Sequence, residues 1–108
     1  MRQKTTYSIS VYGINGLTRE EVKGYRVSEH FATRKLRYRE WSLDHIPSGG
    51  LIPARLTTLS AVEKVALKLE YLPVRWGFKT WIGFKRAVNK EMRKKIVSIT
   101  GGVLRRVA

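Results

Sequence analysis

The sequence predicts a small α+β protein, in which an antiparallel sheet of three to four strands packs against one helix and a basic helix follows at the C-terminal end. Three observations predict this class. Apolar and polar residues alternate in several short segments of the first half, which is typical of strands. Apolar residues then recur at helical spacing in residues 60–72. A second helical pattern, rich in Lys and Arg, covers residues 81–97.

The first strand is predicted over residues 5–14, which alternate in polarity and lead into the Asn-Gly pair at 15–16, a favoured tight turn. The next segment is ambiguous. Thr18 and Glu21 fit a helical capping box, whereas the Asn-Gly pair equally suits a hairpin into residues 17–23. We expect a short helix at this position.

The middle of the chain is predicted to form an antiparallel meander. Residues 25–33 and 39–46 have the alternation of strands, and the basic segment 34–39 connects or extends them. Residues 51–56 are a candidate third strand, interrupted by Pro53, which suits an edge strand or a bulge.

The clearest element is the helix over residues 60–72. Ser60 and Glu63 have the spacing of a capping box, and Pro73 ends the pattern. Residues 25–72 are predicted to form strands followed by a helix. This order of elements is similar in outline to that of integrase arm-binding domains and more loosely to that of double-stranded-RNA-binding domains. This similarity is one of architecture and implies nucleic-acid binding.

The second helix is predicted as one continuous element over residues 81–97, with an apolar stripe that includes Trp81, Phe84, Val88 and Met92. No linker or repeat divides the chain of 108 residues. Residues 1–108 are therefore expected to form one domain.

Charge is the most informative bulk property. The chain has 22 Lys and Arg residues against 8 Asp and Glu residues, a formal net charge of +14, and a calculated isoelectric point near 10.7. Such an excess indicates a polyanionic partner, because it otherwise destabilises the compact state by self-repulsion. We expect DNA or RNA, between which the sequence does not discriminate.

Three groups of residues are the candidate nucleic-acid contacts. Residues of an extended basic strand or ribbon would contact phosphates, as would residues on one side of the C-terminal helix. In the segment between the helices, a tryptophan flanked by cations would stack on a base. The ribbon group is Lys35, Arg37 and Arg39, the helix group is Arg86, Lys90, Arg93 and Lys94, and the connector group is Arg75, Trp76 and Lys79.

A protein-binding module is the alternative function. A small basic inhibitor or adaptor, docking on an acidic or nucleic-acid-binding surface of a larger enzyme or assembly, would use the same charge. Aromatic residues and arginine would then dominate the interface. A subunit of a nucleoprotein assembly is a third possibility, and the oligomeric state is left open.

Catalysis, metals and membranes find little support in the sequence. The chain has no cysteine and two histidines, each of which we interpret as structural or exposed, and we expect no enzyme activity and no cofactor. A carboxylate set of Glu29, Glu40 and Asp44 for Mg²⁺ is the one arrangement left open. Apolar runs are too short for a signal peptide or a spanning helix, so we expect a cytoplasmic protein.

Overall fold

The computed structural model describes residues 3–14, 16–54 and 56–101, apart from the side chains of Tyr12 and Trp81. The described chain has an α+β fold, with a five-stranded antiparallel sheet in the order β1-β2-β3-β6-β7 and a two-stranded sheet of β4 and β5. The elements are β1 (Gln3–Gly13), β2 (Gly16–Arg26), β3 (Phe31–Thr33), β4 (Lys35–Arg37), β5 (Glu40–Trp41), β6 (Asp44–His45), β7 (Gly50–Leu51), α1 (Leu59–Glu70), α2 (Trp81–Ala87) and α3 (Lys90–Thr100).

A long hairpin of β1 and β2 opens the fold. The two strands pair without interruption from Gln3 opposite Arg26 to Gly13 opposite Gly16. The prediction of a short helix after the Asn-Gly turn is therefore wrong, and the hairpin alternative is confirmed. The capping-box pattern offers one turn of hydrogen bonds within the segment, whereas β2 gains a complete ladder along β1, so cross-strand pairing overrides the helical signal.

The five-stranded sheet curls until its first strand reaches the turn before its last. The backbone N–H of Ser10 in β1 donates to the carbonyl oxygen of Gly49 at 2.9 Å. Gly49 has φ of +71°, and a Cβ atom there would lie 2.7 Å from the Ser10 nitrogen. Glycine is required at this position both for its conformation and for the close approach of the two segments.

The predicted strands of the middle region are shorter than expected. The segment 25–33 bends at residues 28–30, between β2 and β3, and the segment 39–46 is interrupted at residues 42–43, where the chain passes from the small sheet to the large one. Of the segment 51–56, only Leu51 lies in β7, and Leu56 forms an isolated bridge to Trp41. The polarity pattern located strand-forming segments but not their bends, which depend on partners far along the chain.

Helix α1 was correctly located but begins earlier than predicted. Thr58, rather than Ser60, is the N-cap, and its Oγ1 accepts a hydrogen bond from the Ala61 N–H at 3.1 Å. Val62, Ala66 and Leu69 form the buried face of this helix.

The core is a single cluster drawn from strands, helices and the segments between them. Its buried members are Val27, Phe31, Leu43, Leu56, Val62, Ala66, Leu69, Trp76, Val88 and Ile96. The α1 side chains thus share their environment with residues of the meander and of the C-terminal region. No described helix is long and apolar enough to cross a lipid bilayer.

The predicted C-terminal helix is two helices. Val88 has extended backbone dihedral angles and is 1% exposed, and Asn89 caps α3 by accepting the Met92 N–H at 2.8 Å. The break turns the Val88 side chain into the core while the Asn89 side chain replaces a missing backbone partner. The basic residues before and after the break therefore do not share one continuous helix face.

Candidate nucleic-acid interface

The small sheet of β4 and β5 is a ribbon whose tip is strongly basic. Lys35, Arg37 and Arg39 are all exposed, and Tyr38 between the two arginines is 82% exposed. Arg39 lies in the turn with φ of +56°. Arg37 contacts Glu40 at 3.4 Å across the ribbon, with both groups in solvent. An exposed pair of this kind contributes little to stability, so the Arg37 guanidinium is available to a phosphate.

The base of the ribbon is held in place by backbone hydrogen bonds. Ser42 N–H donates to the Arg34 carbonyl oxygen at 3.0 Å, and Trp41 N–H donates to the Leu56 carbonyl oxygen at 2.9 Å. The Ser42 hydroxyl oxygen in turn accepts the Arg34 N–H at 3.0 Å. The basic tip is therefore presented from an ordered base rather than from a long unpaired loop.

Asp44 is buried directly behind this base and gathers three polar side chains. Its Oδ2 accepts hydrogen bonds from the Tyr7 hydroxyl at 2.6 Å and the Ser42 hydroxyl at 2.8 Å, and lies 3.4 Å from Arg34 Nε. Burial, followed by the hydrogen bond to Asp44, raises the pKa of Tyr7. The Tyr7 phenol therefore remains a hydrogen-bond donor. Asp44 accepts hydrogen bonds from buried side chains and is not part of the basic surface.

The residues predicted on the C-terminal helix fall into two sets. Arg86 is exposed on α2, and Lys90 and Lys94 are exposed on α3, where Lys94 lies 3.7 Å from Glu91. Arg93 is only partly exposed, and its guanidinium carbon lies 5.5 Å from the centre of the Phe84 ring. The prediction that these residues share one side of a single helix is wrong, because α2 ends at Ala87 and α3 begins at Lys90 after the extended residue Val88.

The connector between α1 and α2 contradicts the stacking role predicted for Trp76. Arg75 and Lys79 are exposed, but Trp76 is 3% exposed and belongs to the core. Its Nε1–H donates to the Leu69 carbonyl oxygen at 2.9 Å, and its ring packs edge-on against Phe31 at 4.9 Å between centroids. A ring so enclosed is not available to a base. The large apolar area of tryptophan favours this burial in a small protein.

His45 is a structural histidine beneath the connector. Its Nε2 donates to the Trp76 carbonyl oxygen at 2.5 Å, and its Nδ1 accepts from the Ser48 hydroxyl at 2.7 Å. Burial lowers the pKa of His45 from 6.5 to about 4. The ring is consequently neutral near pH 7 and joins the sheet to the connector, as the structural interpretation of the histidines expects.

The described carboxylates do not assemble the predicted set of Glu29, Glu40 and Asp44. The one group of metal-ligand type among the described residues is Glu29, His30 and Glu70. Glu70 already accepts from the Ser28 hydroxyl, from His30 N–H and from His30 Nδ1, each at 2.8 Å. Burial raises the pKa of Glu70, but these hydrogen bonds outweigh it and lower the value overall. The group ties the turn at residues 28–30 to the end of α1.

An apolar cleft that we did not predict lies beside the connector. It has a volume of about 420 Å³ and is lined by Leu17, Leu51, Phe78 and Phe84 among others, with Arg19 and Lys79 also in its wall. The signal in the sequence was the interleaving of aromatic and basic residues at 75–86. The contribution of β2 and β7 depends on the curling of the sheet and has no local signature.

No protein-family model, curated protein or solved structure matches this chain. The outline similarity to integrase arm-binding and double-stranded-RNA-binding domains thus gains no support from the comparisons. The observed five-stranded sheet also has more strands than the predicted meander.

Proposed function

We propose that this protein binds nucleic acid without catalysing a reaction on it, and that the β4–β5 ribbon is its principal contact. The observation that supports this most strongly is the exposed trio Lys35, Arg37 and Arg39 on an anchored two-stranded ribbon. A two-stranded ribbon fits the major groove of duplex DNA, and cations spaced along it can each neutralise a phosphate.

The distribution of acidic residues adds to the argument. Asp44 is buried, and Glu70 is occupied by the turn at residues 28–30. Asp44 is paired with Arg34 and Glu70 accepts from His30, so neither carboxylate pairs with a ribbon cation, and the chain has a formal net charge of +14. A field of this sign attracts a polyanion at long range and makes its association sensitive to salt.

The exposed cations outside the ribbon, Arg75, Lys79, Arg86, Lys90 and Lys94, are proposed to make additional, weaker contacts with phosphates. Of the ten predicted contacts, eight are exposed: Lys35, Arg37, Arg39, Arg75, Lys79, Arg86, Lys90 and Lys94. We assign phosphate contacts to these eight, give Arg93 no separate role, and exclude Trp76. Tyr38 at the ribbon tip takes the place of Trp76 as the exposed ring beside positive charge, and it can stack on an unpaired base.

Fluorescence anisotropy with labelled duplex DNA, single-stranded DNA and RNA tests the proposal. The purified protein is titrated against each nucleic acid at several salt concentrations. We expect submicromolar binding of at least one of them at low salt, with an affinity that falls linearly on a log-log plot as salt rises. Absence of binding to all three at low salt would overturn the proposal.

A further inference from the structure

The cleft beside the connector is lined by both aromatic and aliphatic side chains. Phe78 stacks on the His45 ring at 4.3 Å between centroids and meets the Phe84 ring edge-on at 5.5 Å. Leu17 and Leu51, which also line the cleft, are 60% and 59% exposed. Apolar side chains that remain open to water around a concave surface are typical of a binding site.

The polar groups in the cleft wall are already bonded within the protein. Ser10 Oγ donates to the Ser48 carbonyl oxygen at 2.8 Å, and Ser48 Oγ donates to His45 Nδ1 while accepting from Gly50 N–H at 3.1 Å. Thr80 Oγ1 accepts the Gly83 N–H at 3.1 Å, as the cap of α2. A nucleobase placed here would bury its polar edge with few partners, which is unfavourable. An apolar side chain incurs no such penalty.

The charge at the cleft is positive. Arg19 and Lys79 line it, and no acidic residue is among the described residues of its wall. Lys79 is exposed and forms no ion pair within the described part of the chain. Arg19 Nη1 donates to the Ser48 carbonyl oxygen at 2.6 Å, which holds the guanidinium at the cleft without neutralising it. Carboxylates beside the bound group would complement both cations.

We propose that this cleft binds an acidic segment of a partner protein, which inserts one apolar side chain between Leu51 and Phe78 and places neighbouring carboxylates near Arg19 and Lys79. The cleft volume of about 420 Å³ suits a large side chain with its flanking backbone. This interaction shares Lys79 with the proposed phosphate contacts but does not require nucleic acid to be bound.

Labelled peptides provide the test. One peptide has a central phenylalanine with four glutamates on each side, and its match has serine at the centre. We expect the intact protein to bind the phenylalanine peptide at least tenfold more tightly than the serine peptide. Leu51→Ser should remove most of that difference. Leu67→Ser, at a leucine 41% exposed on α1 and outside the cleft, should preserve it.

The contribution of the cation at the cleft is tested by two lysine-to-glutamine substitutions, each of which removes one positive charge. Lys79→Gln should weaken binding of the phenylalanine peptide about threefold or more, whereas Lys68→Gln on α1 should have a smaller effect on its affinity. Equal binding of the two peptides, or equal effects of Leu51→Ser and Leu67→Ser, would overturn the proposal. So would a loss of oligothymidylate binding specific to Leu51→Ser, because it would assign the cleft to a base. Circular dichroism melts of each variant confirm that it is folded.

Discussion

The imidazole of His45 and the backbone carbonyl of Trp76 are joined by a hydrogen bond of 2.5 Å across 31 positions of the chain. This contact ties the β6–β7 end of the sheet to the connector that leads into α2. It also holds a titratable ring in a buried site, so that the stability of the fold depends on pH.

Stability is predicted to fall as the pH decreases from about 6.5 towards 4. Burial lowers the pKa of His45 from 6.5 to about 4, so in this range the unfolded chain binds a proton that the folded chain excludes. Above pH 6.5 both states are neutral at this site and the contribution is fully present. The linked loss is up to about 3 kcal/mol.

Urea unfolding at several pH values checks this prediction, with His45→Gln as the comparison. The variant should be less stable at pH 7 but should lose less free energy of unfolding between pH 6.5 and 4 than the wild type. Parallel profiles for the two proteins would show that His45 is not the group responsible.

Removal of the Tyr7 hydroxyl should destabilise the protein substantially. Tyr7 donates to the buried carboxylate of Asp44 at 2.6 Å, and a hydrogen bond to a charged group contributes about 1.5–3 kcal/mol. Tyr7→Phe is therefore expected to lower the free energy of unfolding by this amount in urea titrations. Tyr71→Phe is the matched control, since Tyr71 is 84% exposed, and it should change stability by less than about 0.5 kcal/mol. Similar effects of the two substitutions would contradict the assignment.

Trp76 is predicted to matter for stability and not for binding. Trp76→Phe removes the Nε1–H donated to Leu69 and part of a buried ring, at an expected cost of about 1–3 kcal/mol. At temperatures where the variant is fully folded, its affinity for nucleic acid should equal that of the wild type. A folded variant with tenfold weaker affinity would restore a direct role for this ring.

Asn89 is predicted to stabilise the break between α2 and α3. Asn89→Ala removes the side-chain acceptor of the Met92 N–H, and loss of an N-cap costs about 1 kcal/mol. Asn89→Asp retains the acceptor and should remain near wild-type stability in the same thermal or urea measurements. If alanine were as stable as aspartate at this position, the cap would have no energetic role.

Local patterns predicted those parts of the fold that local interactions determine. The alternation of residues 5–14 corresponds to β1, and the apolar face of residues 60–72 corresponds to α1. In each segment the same spacing of apolar residues, that of a strand or of a helix, continues along most of the element. At residues 17–23 a capping-box pattern competed with a hairpin, and pairing with β1 decided the outcome. The cap at Asn89 was readable as an Asn before a helical segment, but the continuous apolar stripe through Val88 concealed it.

The candidate site likewise has some residues that local sequence predicted and others whose placement depends on distant parts of the chain. The basic ribbon at residues 35–39 was recognisable because its cations occupy alternate positions of one short segment, which places them on one face of an extended strand. Whether Trp76 is exposed depends on Phe31 and Leu69, which the fold brings to it from other elements. The apolar cleft joins Leu17, Leu51 and Phe78 from separate segments, and no spacing in the sequence brings these residues together.

The central claim, that the β4–β5 ribbon contacts phosphates, is tested most directly by the salt dependence of two charge-matched double variants. Arg37→Gln with Arg39→Gln removes two ribbon cations, and Lys64→Gln with Lys68→Gln removes two exposed cations of α1. The slope of log affinity against log salt changes by about 0.7–0.9 per phosphate contact. We predict that the ribbon variant reduces the slope by about 1.4–1.8 while the α1 variant changes it by less than about 0.5. Equal reductions by both variants would contradict a localised ribbon contact.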